Sequence, residues 1–229
     1  MAIVTSAGPR AETAALSRAP DRSRWAAGAR TLFGNPVTIV AAVFLLLVVL
    51  AAVFAPVIAR HDPTFLDPGV RLQGPSAEFP MGTDDRGRDI FSRVIYGGRV
   101  SLAIGVSVTL AAAAIGSALG LLSGYFPRLD TPIMRTLDGL MAFPSILLAI
   151  AIMATLGPAT TNVIVALSVV YAPNIARLVR GTTLTTKQQA YVESARAIGM
   201  RDALILRRYI FMNSLSPLIV QGTFVIAFA

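Results

Sequence analysis

The chain has 229 residues, 55% of them hydrophobic and only 14% charged, with a mean hydropathy of +0.67, more apolar surface than one soluble core of this size can bury. It is therefore an integral membrane protein. A net charge of +8 would suggest nucleic acid in a soluble chain, but here the basic residues flank apolar runs, so the excess reads as membrane topology and nucleic acid is set aside as a partner.

Residues 1–30 carry five Arg against Glu12 and Asp21, with no apolar periodicity, and read as a disordered basic tail. Residues 31–59 follow with 29 uncharged positions, longer than the apolar part of a signal peptide and without a cleavage-site pattern at the end. They read as an uncleaved first transmembrane helix from about Pro36 to Ile58, with Pro36 tolerated in the first turn.

Residues 60–99 form a polar segment with six Arg and six acidic residues. Its first half is dense in proline and turn formers, and is expected to be extended and irregular. Its second half places Ile90, Val94 and Ile95 at helical spacing beside charges, which predicts a short interfacial helix. The 28 uncharged residues at 100–127 supply the next crossing, with Ala112, Gly116, Gly120 and Gly124 at every fourth position. Such a stripe lets a second backbone approach closely, either within one bundle or at an oligomer contact.

Residues 128–138 make a short charged connection, amphipathic enough to begin a helix. The 38 charge-free residues at 139–176 would overshoot a hydrocarbon core of about 30 Å as one straight helix, so two crossings are expected, broken near Gly157 and Pro158. Arg177 and Arg180 are expected to snorkel to the headgroups. A last apolar run occupies 209–229.

The basic residues at 1–30, 128–138 and 177–208 total fourteen, against six at 60–99. If the crossings alternate, this places the N-terminus and the segment after Lys187 in the cytoplasm and residues 60–99 outside.

The crossings hold no ionisable side chain in their interiors, which disfavours an ion-coupled transporter. There is no cysteine, and so neither a thiolate metal site nor a cysteine nucleophile. His61, the single histidine, reads as a solvated loop residue. Asp84, Asp85 and Asp89 are interleaved with Arg86 and Arg88, and read as ion pairs and caps rather than a metal site. No catalytic constellation and no phosphate-binding loop can be assembled, so any energy must come from a partner or a gradient.

Attention then falls on residues 187–217, KQQAYVESARAIGMRDALILRRYIFMNSLSP. An amphipathic helix is expected to run to Gly199, with Tyr191, Ala195 and Ile198 on one face and Glu193 paired to Arg196 at i, i+3. Gly199 suits a left-handed helix end, and a second helix from Arg201 leads back to the membrane. The residues alone leave two readers open, a protein partner or anionic membrane lipid.

The run Glu193-Ser194-Ala195 followed by Gly199 resembles the EAA loop of binding-protein-dependent ABC importer permeases. MGTDDRGRDIFSRVIYGGR at 81–99, DGLMAFP at 138–144 and ARLVRG at 176–181 are similar to segments of the C-type subunit of the dipeptide/oligopeptide/nickel permeases. Ser194 stands in place of the usual second alanine, and Met212 where the family commonly has proline.

The resemblance implies an all-α integral membrane protein, a polytopic helical bundle of the type I ABC importer permease kind. Five crossings would lie in this chain, with the family's sixth expected to be missing from it. The segments would be a cytoplasmic tail at 1–30, a first transmembrane helix at 31–59, an extracytoplasmic segment with an interfacial helix at 60–99, and a permease core at 100–229 containing a coupling loop at 187–213. Tyr191, Glu193, Ser194, Ala195, Ile198 and Gly199 would couple to the ATPase, while Ala112, Gly116, Gly120 and Gly124 pack helices. The implied assembly is a second permease subunit forming a heterodimer, two cytoplasmic ATP-binding subunits and an extracytoplasmic solute-binding protein, in a bacterial inner membrane. No catalysis and no metal are expected on this chain, with ATP and Mg held by the ATPase. The alternative is a non-transporting scaffold or a truncated permease remnant.

Overall fold

The computed structural model describes residues 34–229, so the expectation for the tail at 1–30 lies outside the described residues. Of these, residues 34–51 and residues 52–229 belong to two separate units, each described by itself. Among the described residues every element is helical, apart from an isolated bridge between Thr83 and Asp89.

The first unit contains most of α1, Pro36–Val53, which is apolar on all sides. At about 1.5 Å per residue its 18 residues span about 27 Å, close to the hydrocarbon thickness. In the second unit Phe54 interrupts the helical path and α2, Ala55–Ile58, adds a single turn with Pro56 near its start.

The polar segment that follows is irregular but tied together. A 3₁₀ turn at Pro68–Val70 is capped by Asp67, which accepts from the Gly69 N–H at 2.9 Å. Gln73 and Thr83 face each other: the Thr83 N–H donates to the Gln73 carbonyl at 3.1 Å, and the Thr83 hydroxyl oxygen accepts from the Gln73 N–H at 2.9 Å.

That loop leads directly into α3, Ile90–Tyr125, one continuous helix of 36 residues. The short interfacial helix expected before the crossing is thus the first part of the crossing helix itself. Gly97 and Gly98 are not enough to break it, because helical hydrogen bonding continues through them and no proline intervenes.

An amphipathic helix, α4 (Pro127–Met141), follows and bends by 92° into α5 (Ser145–Leu156). The expected break at Gly157 is present, with φ at +89°. The arm before it is only 12 residues, because Pro144 starts a new helix after the bend. Beyond the break runs α6, Thr160–Thr186, then α7, Ala190–Ala197, and α8, Asp202–Phe228, which contains a π-helical stretch at Leu206–Phe211. Among the described residues four helices are long and apolar enough to cross a membrane, and the α4–α5 pair brings the number to five when taken as one span.

The core of the second unit lies where α3 meets α6, its most extensive helix contact. Val108, Ala112, Ile175, Val179 and Val225 are fully buried there or nearly so. Three glycines set the separation of the two helices. A Cβ on Gly116 would lie 2.7 Å from the Ala172 carbonyl oxygen, one on Gly120 2.5 Å from that of Ala176, and one on Gly124 2.6 Å from the Thr183 Cβ. The stripe 112, 116, 120 and 124 therefore faces a helix of the same chain, and Ala112 is itself buried in that contact.

Candidate functional site

The candidate site is the helix-turn-helix at 187–213 and the corner it rests on. Val192 and Ala195 of α7 are buried, at 0% and 5% exposure, in a cluster with Tyr125, Ile205 and Ile210. These two side chains, one turn apart, form the anchoring face of α7. Tyr191 and Ile198 stay 44% and 79% exposed, and Glu193, Ser194 and Gly199 are exposed as well. The expected common face of Tyr191, Ala195 and Ile198 is thus divided. Ala195 turns inward while the other two flank the open surface, because the helix ends at Ala197 and Ile198 lies beyond it.

Gly199 adopts φ +77°, and the Met200 N–H returns to the Ala195 carbonyl at 3.1 Å, closing the helix with the left-handed turn that its glycine favours. The Ser194 hydroxyl donates back to the Ala190 carbonyl at 2.8 Å, so serine at this position keeps its polar group satisfied within the helix.

The expected Glu193–Arg196 pair is not formed among the described residues. Arg196 instead lies over the Tyr125 ring, 5.3 Å from its centroid, where the ring face attracts the guanidinium. Glu193 is left free on the open surface.

Tyr125 ends α3, and its hydroxyl donates to Asp202, the first residue of α8. Lys187 donates through Nζ to the Gly124 carbonyl at 2.7 Å, a cation placed at the negative end of α3. The segment is therefore attached to the end of α3 at its beginning, in α7 and at its return. On the return side, Asn213 donates to the Tyr191 hydroxyl at 3.1 Å, and the rings of Tyr191 and Tyr209 lie 5.8 Å apart. Met212 directly follows the π-helical stretch at Leu206–Phe211.

Arg177 and Arg180 do not simply reach for headgroups. Arg180 forms a two-pronged contact with Asp130, Nε to Oδ1 at 2.5 Å and Nη2 to Oδ2 at 2.6 Å, and Arg177 meets Asp138 at 2.8 Å. Both acids are on α4, whose amphipathic face supplies counter-charges that headgroups would otherwise provide. The sequence reading missed this arrangement. Its available signal was the presence of two acids in 128–138 and two arginines at the end of the next long helix.

At the start of α3, Asp89 is 2% exposed and caps the helix, accepting from the N–H groups of Phe91 and Ser92 and from the Ser92 hydroxyl at 2.5 Å. His61 is no isolated loop residue. Its Nδ1 is 3.4 Å from the Asp89 carboxylate and its ring stacks on Phe79 at 5.0 Å. Burial opposes ionisation of Asp89, but the bonds from the Ser92 hydroxyl, His61 and the two N–H groups outweigh it and hold the carboxyl below its ordinary range. Asp84 behaves likewise. Burial opposes its charge, yet bonds from the N–H and guanidinium of Arg88, the Arg86 N–H and the Arg88 charge leave its pKa depressed. The acids at 84 and 89 thus serve an ion-pair network and a cap. No group of three or more metal-ligating side chains occurs among the described residues.

The family model described as binding-protein-dependent transport system inner membrane component matches residues 101–229. A second, the N-terminal TM domain of oligopeptide transport permease C, matches residues 23–75. A Brucella suis protein named provisionally as a peptide transport system permease protein is 46% identical over 82% of this chain and 63% of its own length. The dipeptide transport system permease protein of Alkalihalophilus pseudofirmus is 42% identical over 88% of this chain and 66% of its own. The glutathione transport system permease protein of Pectobacterium atrosepticum is 42% identical over 89% of this chain and 67% of its own. The chain thus spans about two thirds of the length of these relatives, or slightly less.

Proposed function

This chain belongs to the family of binding-protein-dependent transport system inner membrane components, and on that premise we propose that it forms half of the translocation pathway of an ATP-driven importer. The observation that carries the proposal is the construction of α7. It is anchored through Val192 and Ala195 to the end of a membrane-crossing helix, while Glu193, Ser194, Ile198 and Gly199 remain on an open surface. A short helix held firmly on one face and open on the other suits docking into a groove of a cytoplasmic ATPase.

In this reading a second permease subunit completes the pathway, two ATP-binding subunits carry ATP and Mg, and a solute-binding protein delivers cargo on the opposite side. The N-terminus and residues 187–213 are cytoplasmic, in keeping with the excess of Lys and Arg there, and residues 60–99 are extracytoplasmic. The cargo is a peptide or related small solute, a class supported by the dipeptide and glutathione systems named for its relatives.

The test is uptake by the complex reconstituted with its partner permease, ATPases and binding protein. Glu193→Gln and Gly199→Val are expected to abolish substrate-stimulated uptake while leaving hydrolysis uncoupled. A Cβ on Gly199 meets nothing within 4 Å, so the valine acts only through the left-handed backbone, at about 1–2 kcal/mol. Uptake equal to wild type in both variants refutes the coupling role.

A further inference from the structure

The corner between α3 and α4, residues 124–130, gathers four contacts from the stretch between Arg180 and Asp202. The Gly124 carbonyl takes Lys187, the Tyr125 hydroxyl donates to Asp202, the Tyr125 ring carries Arg196, and Asp130 takes the guanidinium of Arg180. Three of these four attach the coupling segment. The fourth connects the corner's far side back to α6, the helix from which that segment emerges.

Asp130 and Asp138 lie two turns apart on α4 and hold Arg180 and Arg177, one turn apart on α6. The inner pair is half-buried and two-pronged, the outer pair exposed and single. A carboxylate gripped by a planar guanidinium fork is fixed in orientation as well as distance. A roll of α4 about its axis independent of α6 would have to break these contacts. Since α4 bends by 92° into α5, a roll of α4 would swing that short arm.

We propose that Asp130 and Arg180 are a positioning pair that passes displacement of the coupling segment to α4 and, through the bend, to α5. Without the pair, the same displacement at residues 124–126 would be absorbed by rotation of α4. The inference rests on the importer reading given above.

The test uses the reconstituted complex and measures ATP hydrolysis and uptake together, at equal amounts of assembled protein. Asp130→Asn is expected to keep hydrolysis while uptake per ATP falls about tenfold, the scale set by losing a charge-assisted bond. The charge exchange Asp130→Arg with Arg180→Asp is expected to recover most of that ratio. Should Asp130→Asn not assemble, Arg180→Lys answers the same question, because lysine keeps the charge and gives up the fork. Uncoupled hydrolysis in that variant supports the proposal. Wild-type complex that transports, with variants that keep its ratio, overturns this inference alone. Wild-type complex without ATP-dependent uptake overturns the importer reading, and this inference with it.

Discussion

Replacing Gly120 by alanine tests the packing of α3 on α6. The added Cβ would sit 2.5 Å from the Ala176 carbonyl oxygen, 2.8 Å from the Val179 Cβ and 3.0 Å from the Arg180 nitrogen. Ordinary contact begins near 3.4 Å, so the helices must separate by 0.9 Å at this level, and two of the three obstructing atoms are backbone. Overpacking of this kind costs about 1–3 kcal/mol. The gain in helix propensity, about 1 kcal/mol at most, offsets part of it and leaves a net loss of up to about 2 kcal/mol. The assay is SDS titration of the purified chain in bicelles, followed by circular dichroism. Gly139→Ala is the matched control, since a Cβ there meets nothing within 4 Å. Gly120→Ala should unfold at a lower detergent fraction than wild type and Gly139→Ala should not. Equal midpoints for the two variants would show that the glycine stripe does not set the helix separation.

Other outcomes concern the two ends of α3. Asp89→Ala removes the helix cap and strands the Ser92 hydroxyl, and should cost about 1–2 kcal/mol, read as faster amide exchange at Phe91 and Ser92. Asp84 and Asp89 both have carboxyl pKa values depressed from the ordinary 3.8. Their contribution is therefore complete above 3.8 and disappears as pH falls through the depressed folded values. Exchange in the polar segment at residues 60–89 should stay slow at pH 5 and accelerate only in stronger acid, and protection already lost at pH 5 contradicts this sign. Val192→Ala, at a fully buried position under Tyr125, Ile205 and Ile210, should loosen α7 by about 2 kcal/mol. Limited proteolysis between residues 187 and 202 reports it, with unchanged cleavage counting against the anchoring face.

The membrane character and the breaks at Gly157 and Gly199 were legible in the sequence because each depends on local chemistry, whereas the bend before Ser145 was not. Uncharged runs identify crossings, Gly157 ends one helix, and Gly199 ends another by the left-handed turn its sequence context suggests. The stripe of small residues told that a backbone would come close, though only the structure says that it belongs to α6. Contacts between remote segments were not legible. Arg196 had a carboxylate three residues away and chose an aromatic ring 71 positions earlier, and Arg180 found Asp130 across 50 positions. Spacing rules describe neighbours on one helix, whereas these pairs exist because α3 and α6 bring distant helix ends together. The merging of the interfacial helix into α3 escaped notice for a related reason. Charged residues at 86–99 suggested a boundary, but helical hydrogen bonds do not stop where the solvent changes.

A helix of 36 residues is about 54 Å long, far more than a hydrocarbon core of about 30 Å, so α3 extends beyond the lipid interior. One end carries the cap at Asp89 and the loop built around it, and the other carries Tyr125 and everything fastened to that ring. Cap and ring are therefore the two tips of one continuous helix, and a rigid tilt of that helix moves both together. A tilt of about 5° around its midpoint would move each tip by about 2 Å in opposite directions. A shift at one tip is thereby tied geometrically to an opposite shift at the other.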